Sequence, residues 1–132
     1  MRLRMLIEMH GRSIDMALDW LGPLLPPTDG PQPEGDDHDP RLLFSMIAIA
    51  TGNLDLRDLV ERLADRLSPF RRIESRVFTN LHVEMAALRA AAFSGATRDF
   101  RRLSLAYHRR RAAHVADLAW QRARSALNHT LP

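Results

Sequence analysis

Two helices set end to end constrain this chain more than any other feature. Residues 42–53, LLFSMIAIATGN, are apolar almost without a break and stop at Thr51-Gly52-Asn53. Residues 54–67, LDLRDLVERLADRL, follow at once as an amphipathic stripe. The first predicts a helix over about 41–51, apolar on nearly every side and therefore central and buried. The second predicts a helix over about 54–67. Leu56, Leu59, Val60, Leu63 and Leu67 face inward, and Arg57, Asp58, Glu61, Arg62, Asp65 and Arg66 face outward. Asp58 and Arg62, four apart, form a modest helix-supporting pair. Such a pair of helices can bury its apolar surface only against other helices or a sheet.

The remaining segments supply helices. Over residues 2–21, Leu3, Leu6, Ile7, His10, Ile14, Ala17, Leu18 and Leu21 fall on one face. Gly11 weakens that helix by about 1 kcal/mol relative to Ala, and Gly22-Pro23 ends it. Residues 22–40, GPLLPPTDGPQPEGDDHDP, hold six Pro, three Gly and five acids with no Arg. That density of Pro excludes helix and strand and predicts a surface loop. Ser68-Pro69 has the form of a new helix start, Ser as N-cap and Pro at the first turn. Phe70, Ile73, Val77, Leu81, Met85, Leu88 and Ala92 then keep one apolar face, with Thr79-Asn80 as the weak point. Ser94-Gly95 closes it. A last helix runs from about Thr97 to Asn128, with stripes at Phe100, Leu103, Tyr107, His114, Leu118 and at Leu105, Ala112, Val115, Ala119. Two stripes on one long helix imply a bend or burial on two sides. No segment alternates with period two. The expectation is an all-α antiparallel bundle of five to six helices, one domain over residues 1–132.

Composition narrows the function. The chain has no cysteine, which removes disulfide and thiolate chemistry and suits a reducing cytoplasm. The longest uncharged run, Leu42–Leu54, is too short for a bilayer, which takes roughly 18 apolar residues or more. The start, MRLRMLIEMHG, is a poor signal peptide because Glu8 interrupts its apolar run. No membrane is expected, and the cytoplasm is the expected location. All 19 basic residues are Arg. Residues 1–65 carry 6 Arg against 12 acids, and residues 66–132 carry 13 Arg against 4 acids. That asymmetry points either to two halves that attract each other or to a basic binding face.

The segment DPRLLFSMIAIATGNLDLRDLVERLADRL resembles the ligand-binding (FCD) domain of FadR-type GntR transcription regulators. That family has an Asp, then Phe-His, then an apolar helix ending in Ala-[Ser/Thr]-Gly-Asn, then a Leu-rich amphipathic helix. Two further stretches follow its outline. Arg4-Met5-Leu6-Ile7-Glu8 matches the Arg-x-x-[Leu/Ile]-Glu of the family's first helix. VEMAALRAAAFSGATRDFRRLSLAYH, ending in His108, matches its closing helix, Gly-containing turn and long helix with a His. The resemblance implies a small-molecule effector, a carboxylate or apolar metabolite, held between helices, and a homodimer. It implies ligand contacts at Arg4, Phe44, Asn53, Met85, Tyr107 and His108.

The departures remove most of the family's metal chemistry. Many members bind a divalent ion through one Asp and three His. Counted from Gly52-Asn53, the Asp position falls on Pro40, with Asp39 beside it, and the first His position on Phe44. Counted from Gly95, the second His position falls on Met85, with His82 three residues away. The third falls on Tyr107, or with one inserted residue on His108. No metal or other cofactor is therefore expected. The family's second helix is replaced by the Pro-rich segment. The winged helix-turn-helix that would precede Arg4 is not in this chain, so DNA is expected to be contacted only through such a domain.

Other features read more plainly. His10 lies on an apolar stripe and is expected to be a satisfied core histidine. His108 and His114, six apart, are about 120° apart on a helix and do not form a ligand pair. Arg98, Arg101, Arg102 and Arg109-Arg110-Arg111 form the strongest basic cluster, expected to be a solvated face or a partner for the acidic half. No G-x-S-x-G, H-E-x-x-H, P-loop or G-x-G-x-x-G is present, so no enzyme is expected. The expected function is effector binding and dimerisation in a GntR/FadR-type regulator. The alternative is a helical module whose basic C-terminal half binds nucleic acid or an acidic partner.

Overall fold

The computed structural model describes residues 2–22 and 39–130. The described residues form an all-α bundle: α1 (Arg2–Leu21), α2 (Pro40–Ala50), α3 (Leu54–Arg71), a 3-10 turn (Glu74–Arg76), α4 (Leu81–Phe93), α5 (Thr97–Ala113) and α6 (Val115–Thr130). Residues 23–38 of the Pro-rich connection lie outside the described residues. None of the described helices is long and apolar enough to cross a membrane.

α1 is the spine. It packs most extensively against α3 and α5, and α2 lies against α3 while α4 lies against α5. Its buried face is the expected stripe with Ser13 added, except that Leu21 at its end is only half-buried. That stripe feeds two separate apolar clusters. Ile14, Ala17 and Leu18 join Phe44, Ile47, Val60, Met85, Leu88, Phe100 and Tyr107 in one. Leu3, Leu6 and Ile7 join Leu63, Leu67, Ile73, Phe78, Val115 and Leu118 in the other. His10 sits in α1 between the two sets.

The joint between α2 and α3 is built from two side chains and one glycine. Thr51 Oγ1 donates to Ala48 O at 2.6 Å and accepts from Asn53 N at 3.0 Å. Asn53 is the N-cap of α3, its Oδ1 accepting from Leu56 N at 3.1 Å. Gly52 lies in the left-handed region, φ +70°, where a side chain is strained. At the other end of α2, Asp39 is the N-cap, accepting from Arg41 N at 2.9 Å, and Pro40 takes the first helical position. Arg41 then ties α2 to α3 through Glu61 at 3.0 Å and Asp65 at 2.7 Å.

Several boundaries differ from the sequence expectation. α2 is not enclosed on all sides: Leu42 and Ile49 are 57% and 53% exposed, and only Pro40, Leu43, Phe44, Ile47 and Ala48 are buried. Ser68-Pro69 does not start a helix. α3 runs through Pro69 to Arg71, because a proline in the last turn removes one ladder donor while Leu67 and Phe70 hold the turn in the core. The chain then makes the 3-10 turn and resumes helix at Leu81, after Asn80 adopts φ +59°. The face from Phe70 to Ala92 is therefore divided: Phe70, Ile73, Val77 and Leu81 serve one cluster, and Met85, Leu88 and Ala92 the other. The last helix breaks at His114, whose φ is −118° and whose N–H returns to Arg111 O at 3.0 Å. Leu105 and Ala119, on its second expected stripe, are exposed. Arg62 Nε donates to the backbone oxygen of Asp58 at 3.3 Å rather than to its carboxylate.

Because a Cβ at Gly52 meets nothing within 4 Å, the cost of adding one is purely conformational. Gly52→Ala is expected to lower unfolding free energy by about 1–2 kcal/mol in urea denaturation, and Gly52→Asn by clearly less. Equal stability of the alanine variant and the parent would contradict the joint.

Candidate functional site

A layer of polar side chains crosses the bundle between the two apolar clusters. It begins with paired imidazoles: His10 Nδ1 lies 2.8 Å from His108 Nε2. The proton positions follow from the ends of the chain of contacts. His108 Nδ1 is 2.7 Å from the carbonyl of Ser104, which only accepts, so Nδ1 carries the hydrogen and Nε2 is the acceptor. His10 therefore donates from Nδ1. Its Nε2 is left to accept from Arg71 Nη2, at 3.4 Å. Both rings are neutral in this arrangement, since a second proton on either would set N–H against N–H. Burial drives the pKa of His10 well below the ordinary value, with the charge of Arg71 and the His108 ring adding to it. Burial likewise pushes His108 down to about 4, against the opposing bond to Ser104.

Gly11 explains how the two helices come close enough. A Cβ there would stand 3.1 Å from Cγ of His108. The glycine that weakens α1 as a helix is thus the point where α5 approaches it.

The second half of the layer is centred on Arg111, which is buried. Its Nε donates to Glu74 Oε2 at 2.9 Å, and Nη1 to Glu84 Oε2 at 2.8 Å and Tyr107 O at 3.1 Å. Nη2 donates to Glu74 Oε1 at 3.2 Å and Glu84 Oε1 at 2.7 Å. All five guanidinium hydrogens are used. The same group lies 3.6 Å above the centre of the Tyr107 ring. Arg110 supports the arrangement from outside, donating to Thr79 O at 2.7 Å and stacking 4.5 Å over Phe78. Of the expected basic cluster, Arg101 is also engaged, reaching Asp19 at 2.7 Å and Asp15 at 3.4 Å, and Arg98, Arg102 and Arg109 are exposed. Attraction between the acidic and basic halves is carried by Arg101, whereas Arg110 and Arg111 pair within their own half.

Beside this layer lies a cavity of about 720 Å³, lined by the start of α2, the end of α3, the 3-10 turn, α4 and α5. Its size is that of a small-molecule site. Pro40, Ala64, Phe78, Leu81 and Met85 give it apolar wall, and Arg71, Glu74, Tyr107 and Arg111 give it polar wall. Among the described residues, Arg71 and Tyr107, which line it, each have one enclosed polar atom without a hydrogen-bond partner, Nη1 and the hydroxyl.

The residues singled out from the sequence are divided among these places. Met85 and Tyr107 line the cavity. Phe44 is fully buried beside it, its ring 5.1 Å from His10, 5.2 Å from Tyr107 and 5.4 Å from His108. His108 is held in the imidazole pair, with both nitrogens engaged. Asn53 is used as a helix cap, and Arg4 is exposed on α1, so neither joins the others. The sequence reading missed Arg71, Glu74, Glu84 and the burial of Arg111. One signal for Arg111 was present: Phe100, Ser104, Tyr107 and Arg111 are spaced at 4, 3 and 4 residues along one helix face and all are buried.

The residues present do not fit the family's metal. On the register of the resemblance its ligand positions carry Pro40, Phe44, Met85 and either Tyr107 or His108; only His108 offers an imidazole, with both nitrogens engaged, and Asp39 is committed to capping α2. Among the described residues no group of three or more His, Asp or Glu is placed to hold an ion. Comparison with family models, with curated proteins and with solved structures found no match.

Two outcomes follow from this layer. Histidines that stay neutral when folded bind fewer protons than the unfolded chain below its pKa of about 6.5. Stability is therefore expected to be flat above that pH and to fall as pH drops from 6.5 towards 4, by on the order of 3 kcal/mol for His108 alone. Thermal melts between pH 7.5 and 4.5 would show this, and a His108→Leu variant should show a shallower slope. Arg111→Met leaves Glu74 enclosed without its cation and Glu84 with only Arg110, at 3.5 Å, and is expected to cost on the order of 3–5 kcal/mol. Adding Glu74→Gln and Glu84→Gln should recover part of that loss; simple additivity would contradict the clamp.

Proposed function

We propose that this chain is a small-molecule-sensing helical domain, the effector-binding and dimerisation part of a FadR-type GntR regulator in outline. One observation carries the reading. Counting along the sequence placed the family's metal-ligand positions on Pro40, Phe44, Met85 and either Tyr107 or, with one inserted residue, His108. Pro40, Met85 and Tyr107 line one cavity, Phe44 packs edge-on against Tyr107, and His108 is held in the imidazole pair. Residues 40, 85 and 107 come from three different helices, so their meeting at one cavity supports the register of the resemblance.

The chemistry at those positions is apolar and aromatic, and the effector would be held by side chains rather than through an ion. A ligand that binds one packing of α2, α4 and α5 better than another would bias that packing, and through a homodimer would bias a DNA-reading partner. The alternative, direct binding of nucleic acid through the basic C-terminal half, has less to work with. Arg111 is buried with its carboxylates, and Arg101 and Arg110 are engaged by groups at the surface of the bundle.

A thermal-shift screen with small carboxylates, neutral metabolites and divalent metals tests the reading. At least one organic compound is expected to raise the midpoint with increasing concentration, with about 2.7 kcal/mol of stabilisation at a hundred times its Kd. In a gel-shift assay the chain alone should leave random DNA unretarded. No stabilisation by any compound, together with salt-sensitive DNA binding, would overturn the proposal in favour of the alternative.

A further inference from the structure

α6 has an inner and an outer apolar face. Val115 and Leu118, in its first turn, are buried in the cluster that α1 and α3 supply. Gln121, Arg122, Ser125 and Ala126 continue that inner face, half-buried. On the opposite side Ala116, Trp120, Ala123 and Leu127 are exposed, and they recur at intervals of 4, 3 and 4 residues. Trp120 is 67% exposed and Leu127 60%. Among the described residues of α6 beyond Leu118 none is buried. A helical stretch of this length is marginal in water without packing, since even Ala-rich helices shorter than about 12–15 residues are. Apolar residues at alternating intervals of four and three form the seam of a two-stranded coiled coil, with the residues beside them as its flanks.

We infer that the outer face of α6 pairs with the same face of a second copy of this chain, the two helices running antiparallel. Size fixes the direction. Reversing one helix sets Trp120 against the partner's Ala123 and Leu127 against the partner's Ala116, so every layer holds one large and one small side chain. Parallel helices would set Trp120 against Trp120 and Ala123 against Ala123, an overfilled layer next to an empty one. Charge agrees with size. Asp117 and Arg124, both exposed, lie on the same flank of the seam. In the antiparallel pair each Asp117 faces the partner's Arg124, twice by symmetry. In the parallel pair that flank would face Ala119 and Ala126. α1 carries another exposed stripe, Met5, Met9, Met16 and Trp20, but Arg12 interrupts it and no reciprocal match of size or charge follows from it. A single helix pair buries less than the roughly 1,200 Å² of a standard interface, so the association is weak, with a Kd on the order of 10 μM. Place, direction and register all come from α6 and need no effector in the cavity.

The chain has no cysteine, so introduced thiols report on the pairing without background. Ala116→Cys and Leu127→Cys chains, mixed and oxidised, should link to each other. Ala116→Cys alone should not link, because its two thiols stand about 16 Å apart along the antiparallel pair. Sedimentation of the parent over a concentration series centred on about 10 μM should show a monomer passing into a dimer. Ala123→Arg, at an exposed site, should melt like the parent at the dilute end and associate at least about tenfold more weakly. Met16→Arg, on the α1 stripe, should leave association unchanged. Asp117→Arg and Arg124→Asp should each associate more weakly than the parent, and an equal mixture of the two should recover, since it restores both opposite-charge contacts. A parent that stays monomeric throughout, or association lost in Met16→Arg and kept in Ala123→Arg, would overturn the pairing. Self-linking of Ala116→Cys, or a charge-reversed mixture that does not recover, would overturn the antiparallel register. None of the substituted residues lines the cavity, so these outcomes leave the ligand-binding reading to its own screen.

Discussion

The guanidinium of Arg111 is the constraint on which the cavity depends. Between the end of α3 and the start of α4 the chain has one 3-10 turn and little regular structure to fix it. Glu74 in that turn and Glu84 in the first turn of α4 are both held by the same group, which projects from the last turn of α5. One planar donor set with five fixed directions thereby positions three pieces of backbone relative to each other. Glu74, Phe78, Leu81 and Tyr107, all wall residues, take their places from it. A lysine could not reproduce this, since its single ammonium has three hydrogens and no planar fork.

The imidazole pair performs the corresponding task nearer α1. Neither ring has a carboxylate to stabilise a charged form, and each nitrogen is assigned a role by its neighbour. The two halves of the polar layer therefore differ in kind. One is ionic and compensated; the other is neutral and directional. Arg71 lies where they meet the cavity, its Nη2 directed at the neutral His10 ring.

Much of the architecture was legible in the sequence because α1, α2 and α3 have strong apolar periodicity and clear ends. Leu3 through Leu18 fell on the buried face as spacing required, and His10 was read correctly as a core residue. The misreadings share a cause. Ser68-Pro69 is a start signal by local chemistry, but the hydrophobic contacts of Leu67 and Phe70 carry α3 past it. α2 is apolar enough to be enclosed, yet its neighbours cover only one face. Met85 and Tyr107, singled out from spacing against a family outline, line the cavity. Arg71, Glu74, Glu84 and Arg111 were not singled out, because their roles arise from partners 27 to 61 residues apart in sequence, which no local pattern records.

Helices rich in Leu and Ala have a weakness: one can slide along another by a turn, about 5.4 Å, and still bury nearly as much apolar surface. The polar layer makes such slips expensive here. If α1 moved one turn against α5, His10 and His108 would part and two enclosed imidazoles would lose their partners at once. Gly11 sharpens this, because a Cβ there would stand 3.1 Å from the His108 ring and press on it. The histidine pair and its glycine therefore act as an alignment key. They distinguish one packing of an otherwise permissive set of helices from its near neighbours, and they do so irrespective of what occupies the cavity.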